Sequence, residues 1–102
     1  MAGWYEAQGY EVLARNWRTR TGEIDLVVRR GGLGGTLVVC EVKTRSSLAF
    51  GHPAEAVTPI RQRRLRALAA QWLGAHGPHG GEVRFDVAAV LPGSVEVVEA
   101  AF

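Results

Sequence analysis

Apolar and polar residues alternate along several short stretches of the chain, and each of these stretches predicts a strand. The first is residues 10–17, "YEVLARNW". Residues 23–30 ("EIDLVVRR") and 36–44 ("TLVVCEVKT") alternate with β-branched residues, and the "GGLGG" between them predicts a hairpin. After a long interval, residues 83–91 ("VRFDVAAVL") and 94–100 ("SVEVVEA") predict two further strands separated by a Pro-Gly turn.

Two segments have helical signals instead. Residues 2–8 indicate the end of a helix that Gly9 terminates, because glycine commonly ends helices in a left-handed conformation. Thr58 and Pro59 predict a helix start, with threonine as the N-cap and proline at the first helical position. One apolar stripe at helical spacing follows until Gly74: Leu65, Leu68, Ala69 and Trp72. The resulting order, αβββαββ, predicts an α+β (or α/β) fold with a mixed β-sheet flanked by helices.

Length and composition narrow the class of protein. The 102 residues suit a single domain spanning 1–102, and a hydrophobic share of 47% with 22% charged residues is typical of globular chains. Apolar runs are too short to span a bilayer and a signal-peptide pattern is not evident, so we expect a cytoplasmic protein that does not enter a membrane. A lone cysteine, Cys40, fits a reducing compartment.

The basic residues are almost all arginine. The formal net charge is only +2, yet eleven of the twelve basic residues are arginine and Lys43 is the one lysine. A GC-rich genome is an equally good explanation of this preference. Arginines at a helix start are suited to nucleic-acid phosphate, and the alternative is a solvated face balanced by Glu55 or other acids. The candidate nucleic-acid-binding residues are Arg15, Arg18, Arg20, Arg45, Arg61, Arg64 and Arg66. Among them Trp17 could stack on an unpaired base or belong to the core.

The predicted hairpin brings two acids together. If its turn is centred on Leu33, the numbers of paired residues sum to 66, which sets Asp25 opposite Glu41 and Glu23 opposite Lys43. Opposed carboxylates on neighbouring strands repel each other, and a divalent cation would offset that repulsion. Lys43 on the same face could orient the attacking water for phosphodiester hydrolysis. The alternative is that Glu41 and Lys43 are ordinary solvated residues of an edge strand.

Other polar residues give weaker signals. His52, His76 and His79 lack the cysteine partners and the spacing of a structural zinc site, and loop histidines are the better interpretation. Asp86 could bond within the sheet or lie near the acidic pair. Cys40 points away from Glu41 and is predicted to pack as a small apolar residue.

The segments "GYEVLARNWRTRTGEIDLVV", "LVVCEVKTR", "GHPAEAVTPIRQRRL" and "RFDVAAV", with the terminal "AAF", resemble the uncharacterised bacterial YraN-like family over nearly the whole chain. That family is in turn similar to Holliday-junction resolvases and other nucleases of the PD-(D/E)xK superfamily. The resemblance implies a restriction-endonuclease-like core.

The superfamily's site consists of an Asp followed by E-x-K on the next strand. Carried over, Asp25 and Glu41 would bind Mg²⁺ or Mn²⁺, and Asp25, Glu41 and Lys43 would be catalytic. The family's upstream acidic residue, in a longer first helix, has no counterpart before Gly9. The expected partner is nucleic acid, DNA ahead of RNA, with branched DNA among the candidate substrates and a homodimer as one option. The alternative function is a non-catalytic nucleic-acid-binding or scaffold module that retains the nuclease fold.

Overall fold

The strand predicted from "TLVVCEVKT" lies at the centre of a five-stranded sheet. The structure is a computed structural model and describes residues 1–47, 49 and 51–102. Its helices and strands are α1 (Ala2–Glu6), β1 (Glu11–Arg18), β2 (Glu23–Arg30), β3 (Thr36–Thr44), α2 (Pro59–His76), β4 (Glu82–Leu91) and β5 (Ser94–Val98), with short 3-10 helices at Gly32–Gly34 and Pro53–Ala56.

The sheet has the strand order β1-β2-β3-β4-β5 and is mixed. β3 and β4 are parallel, and the other neighbouring pairs are antiparallel. Parallel neighbours need a long crossover connection, and α2 lies in that connection. The predicted order of elements and the mixed α+β class are therefore confirmed.

Helix α2 begins as predicted and ends later. The Thr58 side chain accepts the N–H of Arg61, which is the expected N-cap. The helix continues through Gly74 to His76, and Gly77 ends it with a φ of 94°. The ring of His76 stacks on that of Trp72 at 4.4 Å within this last part of the helix. Among the described residues, no helix is both long and apolar enough to cross a membrane.

Each face of the sheet has its own apolar core. On one face, which we call the α2 face, Leu65, Leu68 and Trp72 pack over Val39 and Phe85. On the other, the α1 face, buried residues of α1 and the sheet pack together: Tyr5, Tyr10, Leu26, Val38, Cys40 and Ala88. Trp17 is half-buried against the α2-face core, so the core interpretation describes its position.

Cys40 packs on the α1 face as predicted. Its side chain is fully buried, and the loss of solvent raises the pKa of the thiol to about 12. The thiol is therefore protonated across the physiological range.

Asp86 joins α1 to the sheet through a buried hydrogen-bond network. Its Oδ2 accepts the hydroxyl of Tyr5 at 2.7 Å, and Arg84 donates Nε to Oδ1 at 2.9 Å and Nη2 to Oδ2 at 3.0 Å. The backbone N–H of Ala100 adds a bond to Oδ1 at 3.0 Å. Asp86 is fully buried, and the arginine fork with these further donors compensates its charge. This network settles the open interpretation of Asp86 in favour of bonding within the fold.

We expect Tyr5→Phe to lower the free energy of unfolding by roughly 1.5–3 kcal/mol, because a buried carboxylate loses a donor that water cannot replace. Tyr10→Phe is the matched control: its hydroxyl accepts Arg84 Nη2 at 3.1 Å, and Arg84 keeps Asp86 without it. Urea unfolding measures both variants. Equal losses of stability in the two variants would show that the Tyr5–Asp86 bond contributes no more than the Tyr10–Arg84 bond.

Candidate functional site

The pairing of β2 with β3 brings Asp25 and Glu41 together. Leu26 pairs with Cys40 and Val27 with Val39, so the numbers of paired residues sum to 66, the register predicted from the hairpin. The carboxyl group of Glu41 lies near enough to Asp25 to raise the pKa of Asp25. Oδ2 of Asp25 also accepts the backbone N–H of Val42 at 2.8 Å.

Asp25 reaches across to β3 because the alternation of β2 is interrupted there. Ile24 and Val27 both belong to the α2-face core, although a regular strand would point residues three apart to opposite faces. Opposite them in β1, Ala14 and Trp17 show the same change of face. Asn16 lies between, with a φ of 49°, a left-handed conformation that asparagine tolerates well. This irregularity lets the Asp25 side chain bond a backbone group of the next strand.

Glu41 is a buried carboxylate with two basic neighbours. Its side chain is only 5% exposed and lies on the α2 face. Arg61, in the first turn of α2, places Nη2 at 2.7 Å and Nε at 3.0 Å from Oε2. Nζ of Lys43 lies 3.8 Å from Oε1, so Lys43 shares the face of Glu41 as the strand period predicts. The predicted second pair differs: Glu23 forms its ion pair with Arg18 of β1, at 2.7 Å.

Proximity of the two acids changes the chemistry of Asp25. Burial raises the pKa of Asp25 above its ordinary value, and the Val42 N–H acts in the opposite direction. Hydrogen bonding and charge repulsion from Glu41 raise this pKa further, and Lys43 lowers it. Burial and the neighbouring acid together therefore raise the pKa of Asp25.

A cavity of about 320 Å³ opens beside Asp25. Its wall includes Arg15 and Asn16 from β1, Val42 from β3 and Ala2 from α1. One acid of the pair therefore faces a polar recess large enough for solvent or a small anionic group, with an arginine at its wall.

The seven arginines singled out from the sequence have different surroundings. Arg61 bonds Glu41, and Arg18 pairs with Glu23 while its side chain stays 77% exposed. The guanidinium of Arg66 lies over the ring of Phe85 at 4.8 Å and that of Phe102 at 5.5 Å, which ties the chain end to α2. The remaining four are exposed: Arg15, Arg20, Arg45 and Arg64.

Two of the arginine clusters lie close together in space. The turn between β1 and β2 packs on α2, where Gln71 donates to the Thr21 hydroxyl at 2.8 Å. A Cβ at Gly22 would lie 3.7 Å from the Cδ of Arg64, so this arginine borders the same turn. The exposed basic side chains of residues 18–20 and of α2 therefore form one surface.

Comparison with known sequences identifies the family. The model of the uncharacterised protein family UPF0102 matches residues 1–90. The chain belongs to this family. A UPF0102 protein of Beutenbergia cavernae is 62% identical over 88 residues, covering 86% of this chain and 72% of the relative.

Other UPF0102 proteins are similar over comparable lengths. One from Leifsonia xyli subsp. xyli is 48% identical over 90 residues (88% of this chain, 74% of the relative). One from Clavibacter michiganensis subsp. michiganensis is 50% identical over 99 residues (92% of this chain, 81% of the relative). The resemblance to an uncharacterised bacterial family is thus confirmed. The names of these relatives do not state an activity.

Sequence reasoning about this UPF0102 chain missed the Arg61–Glu41 pair. A signal was present, because a cation in the first turn of a helix opposes the helix dipole and therefore needs another partner. The identity of that partner depends on how α2 lies on the sheet.

We expect Asp25→Asn to raise the free energy of unfolding of the metal-free protein at neutral pH, by up to about 1 kcal/mol. The new amide oxygen can still accept the Val42 N–H, and the amide NH₂ can donate to Glu41. The pKa of Asp25 is higher in the folded state than its ordinary value of 3.8. The parent therefore loses stability only as pH rises above 3.8 and through the folded-state pKa. The advantage of the variant should therefore be absent at low pH and grow between these values.

Urea unfolding in EDTA, repeated from pH 4 to pH 8, measures this difference. Glu82→Gln removes the same charge at an exposed position and is the control. An advantage of Asp25→Asn that is independent of pH would contradict the explanation from acid–acid repulsion.

Proposed function

We propose that this UPF0102 chain is a metal-dependent nuclease domain with a restriction-endonuclease-like core, which hydrolyses phosphodiester bonds in nucleic acid. The observation that carries the proposal is the register of β2 with β3, which makes Asp25 and Glu41 neighbours, with Lys43 3.8 Å from Glu41. Two acids and a lysine on neighbouring strands are the residue types that the superfamily uses. DNA, including branched DNA, is the expected substrate ahead of RNA.

The donor set fits a hard divalent cation. Among residues 1–47, 49 and 51–102, no three His, Cys, Asp or Glu side chains group to hold a metal, and the proposed ligands are two carboxylates. Mg²⁺ is commonly held by one or two carboxylates, with water and substrate phosphate completing the shell. Asp25 and Glu41 would hold Mg²⁺ or Mn²⁺, which supplies charge neutralisation at the phosphate.

Lys43 is suited to positioning the attacking water. Its side chain is 31% exposed, so the ammonium reaches both the Glu41 carboxylate and solvent. A compact point charge with three rotatable donors can hold a water molecule in line with the phosphate. The planar fork of an arginine would not occupy the same position.

The alternative is a nucleic-acid-binding or scaffold module that keeps the fold without turnover. The observation that favours it is the engagement of Glu41 by Arg61, since an ion pair already compensates the buried charge without a cation. Both proposals share the basic surface and differ in whether Asp25 and Glu41 take up metal.

We expect the parent to cleave nucleic acid with Mg²⁺ or Mn²⁺, and Lys43→Ala to lower the rate by about 100-fold or more with nearly unchanged affinity for the substrate. Lys43→Arg keeps the charge and should fail as well. Cleavage assays on duplex, single-stranded and branched DNA and on RNA measure the rate, and fluorescence anisotropy measures the affinity.

The same assay separates the two proposals. If the parent cleaves none of these substrates and its melting temperature is indifferent to Mg²⁺, the binding module is the better description. If both Lys43 variants still cleave nucleic acid, Lys43 has no part in the mechanism.

We expect nucleic-acid binding to weaken steeply with salt, because phosphate contacts release counterions. Each contact contributes about −0.9 to the slope of log K against log salt for duplex DNA, so Arg20→Ala with Arg64→Ala should reduce the slope by roughly 2. Arg30→Ala is the control, because Arg30 lies at the other end of β2 over the ring of Tyr10. If the double variant leaves the slope unchanged, the binding surface lies elsewhere on the protein.

A further inference from the structure

Arg61 contacts one of the two oxygen atoms of the Glu41 carboxylate. Both of its contacts, Nη2 at 2.7 Å and Nε at 3.0 Å, are to Oε2. Oε1 has the longer contact to Lys43, at 3.8 Å. One oxygen of the proposed ligand is thus held closely by a guanidinium, and the other is held less closely by an ammonium.

Burial explains why Arg61 is there. A carboxylate that is 5% exposed needs a compensating charge, and Arg61 supplies it in the metal-free protein. Helix α2 itself gives no reason for arginine at this position, because Arg61 donates its backbone N–H to the Thr58 cap in the first turn, where the dipole favours anions. The position of Arg61 therefore follows from Glu41.

A divalent cation and a guanidinium compete for the same negative charge. A cation held by Asp25 and Glu41 would neutralise the carboxylate and repel Arg61, so the Arg61–Glu41 pair becomes weaker. By linkage the effect is reciprocal: if the cation weakens the Arg61–Glu41 pair, that pair weakens the binding of the cation by the same factor. The Arg61 side chain is already 27% exposed, which gives the guanidinium a path away from Glu41.

We propose that Arg61 is an exchangeable counter-ion for Glu41, which holds the carboxylate in the metal-free protein and is released toward substrate phosphate when a divalent cation binds. The inference rests on the proposed function and adds how the site is kept stable and closed before cation and substrate arrive. A guanidinium released at the start of α2 would lie beside helix amides, a favourable position for a phosphate contact.

The test is a Mn²⁺ titration of three proteins without nucleic acid, followed by calorimetry. Arg61→Gln should bind Mn²⁺ about five- to tenfold more tightly than the parent, the range of a modest coupling between sites. Arg63→Gln removes the same charge from an exposed position two residues along α2 and should leave the affinity near that of the parent. Thermal melts without metal should show a lower melting temperature for Arg61→Gln and a larger upward shift with Mn²⁺.

The parent supplies a second readout that does not depend on the folding of a variant. The Nε–H resonance of Arg61, assigned by NMR, should be protected in the metal-free protein and lose its protection as Mg²⁺ is added. A resonance that stays protected at saturating Mg²⁺, or an Arg61→Gln affinity no tighter than that of the parent, overturns the inference and leaves the metal site standing. Absence of Mn²⁺ binding to all three proteins overturns the metal site and the inference together.

Discussion

The register between β2 and β3 is the constraint on which the rest of this structure depends. Because Leu26 pairs with Cys40, the next residues along each strand, Asp25 and Glu41, become neighbours. A slip of one residue would send every side chain of one strand to the other face and separate the acids. The same register places Cys40 in the α1-face core and Glu41 under α2, so packing on both faces holds it.

Two buried acids attach the helices to the sheet, and they are satisfied differently. Asp86 receives four hydrogen bonds, from Tyr5, from two nitrogens of Arg84 and from Ala100, and is a closed structural network. Glu41 has its close contacts on a single oxygen, from Arg61. A network of the first kind makes the fold specific, whereas a carboxylate of the second kind retains a place for another ligand. Glu41 is therefore better suited than Asp86 to bind a further ligand.

The arginine clusters, uniform in the sequence, differ in space: some of these arginines contact other side chains of the fold and others face solvent. Arg66 covers two aromatic rings and Arg61 neutralises Glu41, so both contribute to the fold as it stands. Arg20 and Arg64 are exposed on one surface, where the turn after β1 meets α2. This exposed basic surface is the one that the proposed binding of nucleic acid would use.

The sequence by itself determined the order of the elements, the residues of β2 and β3, the start of α2 and the hairpin register, because these follow from local periodicity, caps and turn chemistry. It did not determine the end of α2, which continues past Gly74 to His76. Nor did it identify the partners of Arg61, Arg66 and Asp86. Apart from Arg84, which lies two residues from Asp86 on the same strand, these partners are distant in the chain. Only the packing of the helices and the chain end against the sheet brings their charges and rings within bonding distance.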